Sequence, residues 1–175
     1  MKKEINAFDY ASLIREALQH GGVLLTTKAE DQVNTMTIGW ATMGVEWKRP
    51  IFTVYVRESR YTREMLEKNG EFTVNVPLNA SCPVEKLTHC GRASGRDEDK
   101  IQKMDFHLVD GETVSVPAIR ELPLTIECKV LFSQVQDPKN LPEDIAAAFY
   151  PVKDGKQDRH IAFYAEIQKA YILEN

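Results

Sequence analysis

The stretch TIECKVLFSQV, residues 125–135, decides the class of the fold. Apolar Ile126, Cys128 and Val130 alternate with Thr125, Glu127 and Lys129, the period of an extended chain that turns one side to a core. Around it lie further short runs rich in Val, Ile, Thr, Phe and Tyr: GVLLTTK (22–28), TMTIGWATM (35–43), IFTVYVR (51–57), EFTVNVP (71–77) and HIAFYAEIQKAYI (160–172). These are strand compositions, and they follow one another without a regular helix between each pair. The expectation is a mainly β protein, an antiparallel barrel or a sandwich, with a few peripheral helices.

The helices are read from their ends. In FDYASLIREALQHGG (8–22), Leu13, Ile14, Ala17 and Leu18 share a face, which places a helix over 9–20 with Asp9 as cap and Gly21–Gly22 as stop. SRYTREMLEKNG (59–70) reads as a short helix capped by Thr62, with Met65 and Leu66 inward and Asn69–Gly70 at its end. SGRDEDKIQKM (94–104) begins with acids that suit a helix N-terminus, and LPEDIAAAFYP (141–151) lies between Pro142 and Pro151.

The chain carries 22 Lys and Arg against 26 Asp and Glu, a net charge of −4, and the cations are not pooled. Nucleic acid is therefore not an expected partner, although a single phosphate is compatible. No window has the run of about eighteen apolar residues that a membrane span needs, and MKKEINAFDY is not of signal-peptide type, so no membrane and a cytoplasmic location are expected. Cys82, Cys90 and Cys128 are odd in number and lack CxxC spacing, which supports neither a disulfide framework nor a metal site. Without repeats or linkers, residues 1–175 read as one domain, its barrel over about 22–172.

Three stretches suggest chemistry. VRESRYT (56–62) joins Arg57 and Arg60 to the hydroxyls of Ser59 and Thr62 just before a helix start; it reads as an anion site or as a solvated loop with a capping threonine. CGRASGRDEDK (90–100) offers Ser94, the backbone around Gly95, and Lys100; it is neither a Walker loop nor GxGxxG, and a surface turn followed by a salt-bridged helix is the competing account. In NTMTIGW (34–40), Gly39 weakens a strand interior and Trp40 carries an N–H that wants a partner, a mixture that a strand filling a core does not need; a core tryptophan with a satisfied N–H is the competing account.

Taken together and in order, NTMTIGW, EWKRP (46–50), RYTREML (60–66), FTVNVP, CGRASGRDEDK and HIAFYAEI resemble the flavin reductase-like family of FMN-binding split barrels, which includes the flavoredoxins. The resemblance spans about Gly22 to Ile172 and implies a Greek-key antiparallel split β-barrel holding FMN at a homodimer interface. Carried over by position, it implies that Asn34, Thr37, Ile38, Gly39 and Trp40 line the ring or ribityl chain. Arg57, Ser59, Arg60, Tyr61 and Thr62 would hold the phosphate or the chain leading to it, Asn75 would be a supporting contact, and Ser94, Gly95 and Lys100 would approach from the other side. His160 stands where relatives carry Asp-His, here spaced one residue wider as Asp158-Arg159-His160, so a structural and a tuning role both stay open. His89 beside Cys90 is not read as a nucleophile pair, because neighbours along a strand point apart.

The implied function is an NAD(P)H-dependent flavin reductase, or a flavoredoxin-like electron carrier that delivers to a redox protein or oxygenase. NADH or NADPH would be the donor, with hydride accepted at flavin N5 and Lys100 countering charge on the reduced ring. The alternative is a non-catalytic barrel that stores or senses flavin or haem.

Overall fold

The computed structural model describes residues 1–79 and 81–174. In chain order the elements are β1 (Lys2–Glu4), α1 (Ala11–Gln19), β2 (Val23–Ala29), β3 (Gln32–Ile38), β4 (Ala41–Glu46), β5 (Arg49–Arg57), α2 (Tyr61–Asn69) and β6 (Glu71–Val76). There follow α3 (Val84–Arg92), α4 (Lys100–Lys103), β7 (Leu108–Val109), β8 (Ala118–Ile119), β9 (Leu124–Val135), α5 (Glu143–Phe149) and β10 (His160–Leu173). Among the described residues no helix is long and apolar enough to cross a membrane.

Seven strands form one antiparallel path, β3-β2-β6-β9-β10-β5-β4, and β1 pairs with the far end of β10. The inner face gathers Leu25, Met36, Phe52, Val54, Phe72, Val74, Ile126 and Phe163 into the main core, which Ile14 of α1 and Leu66 of α2 help to close. The run 35–43 is two strands and not one. β3 pairs with β2 and β4 pairs with β5, so the chain leaves one end of the sheet at Ile38 and joins the other end at Ala41. Gly39 and Trp40 make the crossing, and both are exposed.

Alternation in the opening stretch holds only on its core side. Ile126 and Cys128 are buried as expected, but so are Thr125 and Glu127, because the segment after α4 crosses the outer face. Glu127 is satisfied there: it accepts the Glu112 N–H at 2.7 Å, the Thr113 N–H at 2.7 Å and the Thr113 hydroxyl at 2.5 Å. Burial pushes its carboxyl up, but the Thr113 hydroxyl and these N–H groups outweigh that and hold it below the usual range. A second core, Leu24, Cys82, Leu87, Cys90, Phe106, Ile119 and Leu122, fills the space between the sheet and this covering layer.

Helix ends depart from expectation in detail. Asn6, not Asp9, accepts the first N–H, at a 3₁₀ turn (Ala7–Tyr10) that leads into α1. Thr62 lies inside α2, 1% exposed, and spends its hydroxyl on Asn34 instead of capping the helix. Asp99 does cap α4, accepting from the N–H groups of Ile101 and Gln102. His89 and Cys90 belong to the unanticipated helix α3, not to a strand. There the Cys90 thiol is fully buried, and that burial pushes it up to about 11 while His89 pairs with Glu98.

Candidate functional site

Two adjoining clefts collect thirteen of the fourteen residues implied above, Asn75 being the exception. The first, of about 240 Å³, lies between the end of β5, the start of α2, the α3–α4 loop and Asp158. Its walls include Asn34, Arg57, Ser59, Arg60, Tyr61, Thr62, Ser94, Gly95 and Lys100. The second, of about 210 Å³, continues past Met36, Arg57 and Arg60 to Thr37, Ile38, Gly39, Trp40 and His160. Strand β3 thus runs behind both clefts, and the crossing at Gly39–Trp40 walls the second.

The first cleft is strongly cationic. Among the described residues, Arg57, Arg60, Arg96 and Lys100 line it and Asp158 is the one carboxylate, in a chain whose net charge is −4. Arg57 donates to the backbone oxygens of Asp158 (2.6 Å) and Phe149 (3.0 Å), and Arg60 donates to that of Gly91 (2.8 Å). Arg96 reaches Glu64 at 2.5 Å and lies over the Tyr61 ring. Lys100 is 3% exposed, and among the described residues its ammonium has only the carbonyls of Cys90 (3.4 Å) and Ala93 (3.3 Å). Burial moves its pKa down, although the Cys90 sulfur works the other way.

Glycine at position 95 is dictated by packing. A Cβ there would stand 2.2 Å from Asn34 Oδ1 and 3.1 Å from the Tyr61 ring. The Asn34 amide donates to Thr62 Oγ1 at 3.0 Å, while its Oδ1 is buried with no partner among the described residues. Ser94 accepts from the Arg96 N–H and Tyr61 donates to Gln32 at 2.6 Å. Thr37 gives its hydroxyl proton to Leu87 O at 2.5 Å, which ties β3 to α3.

In the second cleft the Trp40 ring lies 4.7 Å from the His160 imidazole and 5.1 Å from Phe149. His160 Nδ1 is 2.8 Å from the Tyr150 hydroxyl. Burial and then the nearby Arg57 charge bring the imidazole down to about 4, so it is neutral near pH 7.

Asn75 is elsewhere. It is fully buried, donates to Thr26 Oγ1 at 3.0 Å and Thr73 Oγ1 at 3.1 Å, and accepts the Ile119 N–H at 3.0 Å. It fastens β8 to the barrel and lines neither cleft. Met36, Tyr55 and Arg96 line the clefts without having been singled out, as does Asp158, which was named only for its spacing from His160. Arg96 sits inside the quoted loop motif and could have been found there; the others are joined to the site only by sheet pairing and by the return of the chain at residue 158.

Residues 15–175 match the family model of the flavin reductase like domain. The chain is 34% identical over 118 residues to YddH, an uncharacterized protein of Escherichia coli (strain K12), which is 65% of this chain and 61% of that protein. It thus spans about three fifths of that relative's length. Among solved structures it is similar to the flavoredoxin of Methanosarcina acetivorans, with a TM-score of 0.64 and 30% identity over 87% of this chain and 68% of the other. It also shares the fold of an FMN-binding domain of a flavin reductases-like enzyme from Shewanella baltica, with a TM-score of 0.65 and 20% identity over 98% of this chain and 77% of that one. The eight-stranded sheet therefore has the split-barrel fold of this family.

Proposed function

From the premise that this chain belongs to the flavin reductase-like family, we propose that its joined clefts hold FMN and that it works as an NAD(P)H-dependent flavin reductase or a flavoredoxin-like electron carrier. The observation that carries the reading is the concentration of four cations against one carboxylate in the first cleft of an acidic chain. A buried ammonium with only carbonyls for partners, together with the unpartnered Asn34 Oδ1, suits a polar, anionic ligand. When bound, FMN supplies the redox chemistry, accepting a hydride at N5 and releasing electrons singly or in pairs.

The chain's own residues bind and orient. Arg57, Ser59, Arg60 and Thr62 line the end proposed for the phosphate, and Ser94, Gly95 and Lys100 come to the same cleft from the α3–α4 loop and the start of α4. Thr37, Ile38, Gly39 and Trp40 form the wall proposed for the ring. Lys100 keeps a positive charge beside a ligand that gains negative charge on reduction. His160, neutral and held by Tyr150, leaves the second cleft without a charged imidazole.

A homodimer is part of the same reading. It is supported by a cluster of exposed Trp47 and Phe132 with half-buried Tyr164, whose rings meet at 6.5 and 5.6 Å on the outside of the barrel.

The test is an absorbance spectrum after mixing with FMN and desalting, then anaerobic addition of NADH or NADPH. Retained flavin bands that bleach support the redox reading. Fast exchange points to a reductase serving an oxygenase, and tight retention to a carrier serving a redox protein. Flavin that binds but never bleaches with either nicotinamide returns the chain to the storage or sensing alternative, and no uptake at saturating FMN ends the flavin reading.

A further inference from the structure

Ser59 is exposed in the cationic cleft, and both its donors are already taken by an anion. The Ser59 N–H donates to Asp158 Oδ1 at 3.0 Å, and the Ser59 hydroxyl donates to Asp158 Oδ2 at 2.7 Å. Two oxygens of one carboxylate on an N–H and a hydroxyl is the pattern in which two oxygens of a terminal phosphate would be held. Arg57 and Arg60 line the same space.

The carboxylate is placed there by backbone contacts that do not depend on it. β10 pairs with β5 with His160 opposite Arg57, and beyond that pair the Glu58 N–H donates to Arg159 O at 2.9 Å. Arg159 forks onto Glu58 at 2.9 and 2.8 Å, and Arg57 holds the Asp158 carbonyl at 2.6 Å. On the other side the Gln157 amide donates to Tyr150 O at 2.8 Å, so the segment is fastened before and after Asp158, and its side chain can rotate off Ser59 without unzipping the strands.

Resting on the flavin reading above, we infer that Asp158 sets which flavin the cleft favours, by occupying with its own carboxylate the two Ser59 donors that a flavin phosphate needs. A flavin whose ribityl chain ends in a neutral hydroxyl leaves this contact in place. One that ends in a phosphate must expel the carboxylate and then sit beside it, a like-charge juxtaposition that costs affinity. The side chain therefore lowers the preference for FMN over riboflavin and makes FMN an exchanging ligand.

Fluorescence titrations of FMN and riboflavin separate these effects in the wild-type protein, Asp158→Ala, the near-isosteric Asp158→Asn, and the double variant Asp158→Ala/Ser59→Ala. The expected result is FMN affinity raised about tenfold or more in both single variants, riboflavin unchanged within about threefold, and the FMN gain lost in the double variant. Weaker FMN binding in both single variants would overturn the inference, because the carboxylate would then be orienting Ser59 for the phosphate. An equal gain for both flavins would overturn it as well, since the effect would lie away from the phosphate end. Binding of neither flavin to any of the four proteins would instead remove the flavin reading beneath it; riboflavin binding to the wild-type chain is the signal that distinguishes the two failures.

Discussion

Lys100 and Glu127 are buried charges with opposite solutions. Lys100 has two long bonds to carbonyls and no ion pair among the described residues, so its charge is available to a ligand. Lys100→Met is expected to lower the two-electron midpoint potential of bound flavin by roughly 30 mV, equivalent to about 1.4 kcal/mol. Redox titration checks this, and an unchanged potential would mean that the ammonium does not face the ring. Glu127 is instead saturated by three donors, and Glu127→Gln would turn an amide against the Thr113 N–H and hydroxyl. That change is expected to cost about 3 kcal/mol in urea unfolding.

The pH dependence follows from the same residues. Glu58, through its bond to Arg159, has a folded pKa below 4.5; Glu71 and Glu127 do too, burial being outweighed by their hydrogen bonds. Their contributions are present above pH 4.5 and are lost as pH falls below it. His160 acts in a higher window: the unfolded imidazole protonates near 6.5 and the folded one near 4, so stability falls as pH drops from about 6.5 toward 4. His160→Gln is expected to flatten the unfolding profile in that window and leave the loss below 4.5 in place. Each of these residue types was visible in the sequence. What was hidden was solvation: Glu127 looked like an exposed residue in an alternating strand, and Asn75 like a pocket contact, because the layer that buries both is distant in sequence.

At the scale of elements, strands were legible because alternation and β-branched composition are local, and helix stops were legible because glycine is needed where the backbone turns left-handed. Gly22 has φ +92, and a Cβ there would stand 2.5 Å from Thr37 Cγ2 and 2.7 Å from Ile38 O. Gly22→Ala is therefore expected to destabilise the fold by about 2 kcal/mol or more, while Gly44→Ala, with open space around it, should change the melting temperature little. Calorimetry on the two variants makes the comparison, and equal effects would mean that the α1–β2 turn can relax. The crossing at Gly39–Trp40 was misread as strand interior, since strand-like composition continues through it and only pairing with two different partners shows the break. Helix α3 went unread although it is amphipathic; its buried Leu87 and Cys90 have a partner only once β2 is in place.

The whole molecule closes its sheet on an inner core but leaves Val45, Trp47, Leu131 and Phe132 largely exposed on the outside. Trp47 and Lys48, both with positive φ, form the tight turn that projects the tryptophan from the β4–β5 hairpin. If this surface is the proposed dimer contact, Trp47→Asp should give monomers in sedimentation velocity with the melting temperature little changed. A dimer that survives the substitution would move the contact elsewhere. Strand content, the charge balance, the separate cationic stretches and the ordered motifs of the flavin reductase-like family were determined by the sequence alone, because composition, period and spacing are properties of the chain read in line. Tertiary structure decided that those stretches share one cleft, that Asp158 sits on Ser59 within it, and that Glu127 and Lys100 lose their water. Each of these depends on segments far apart in the chain meeting in space, and local pattern carries no information about which distant segment will arrive.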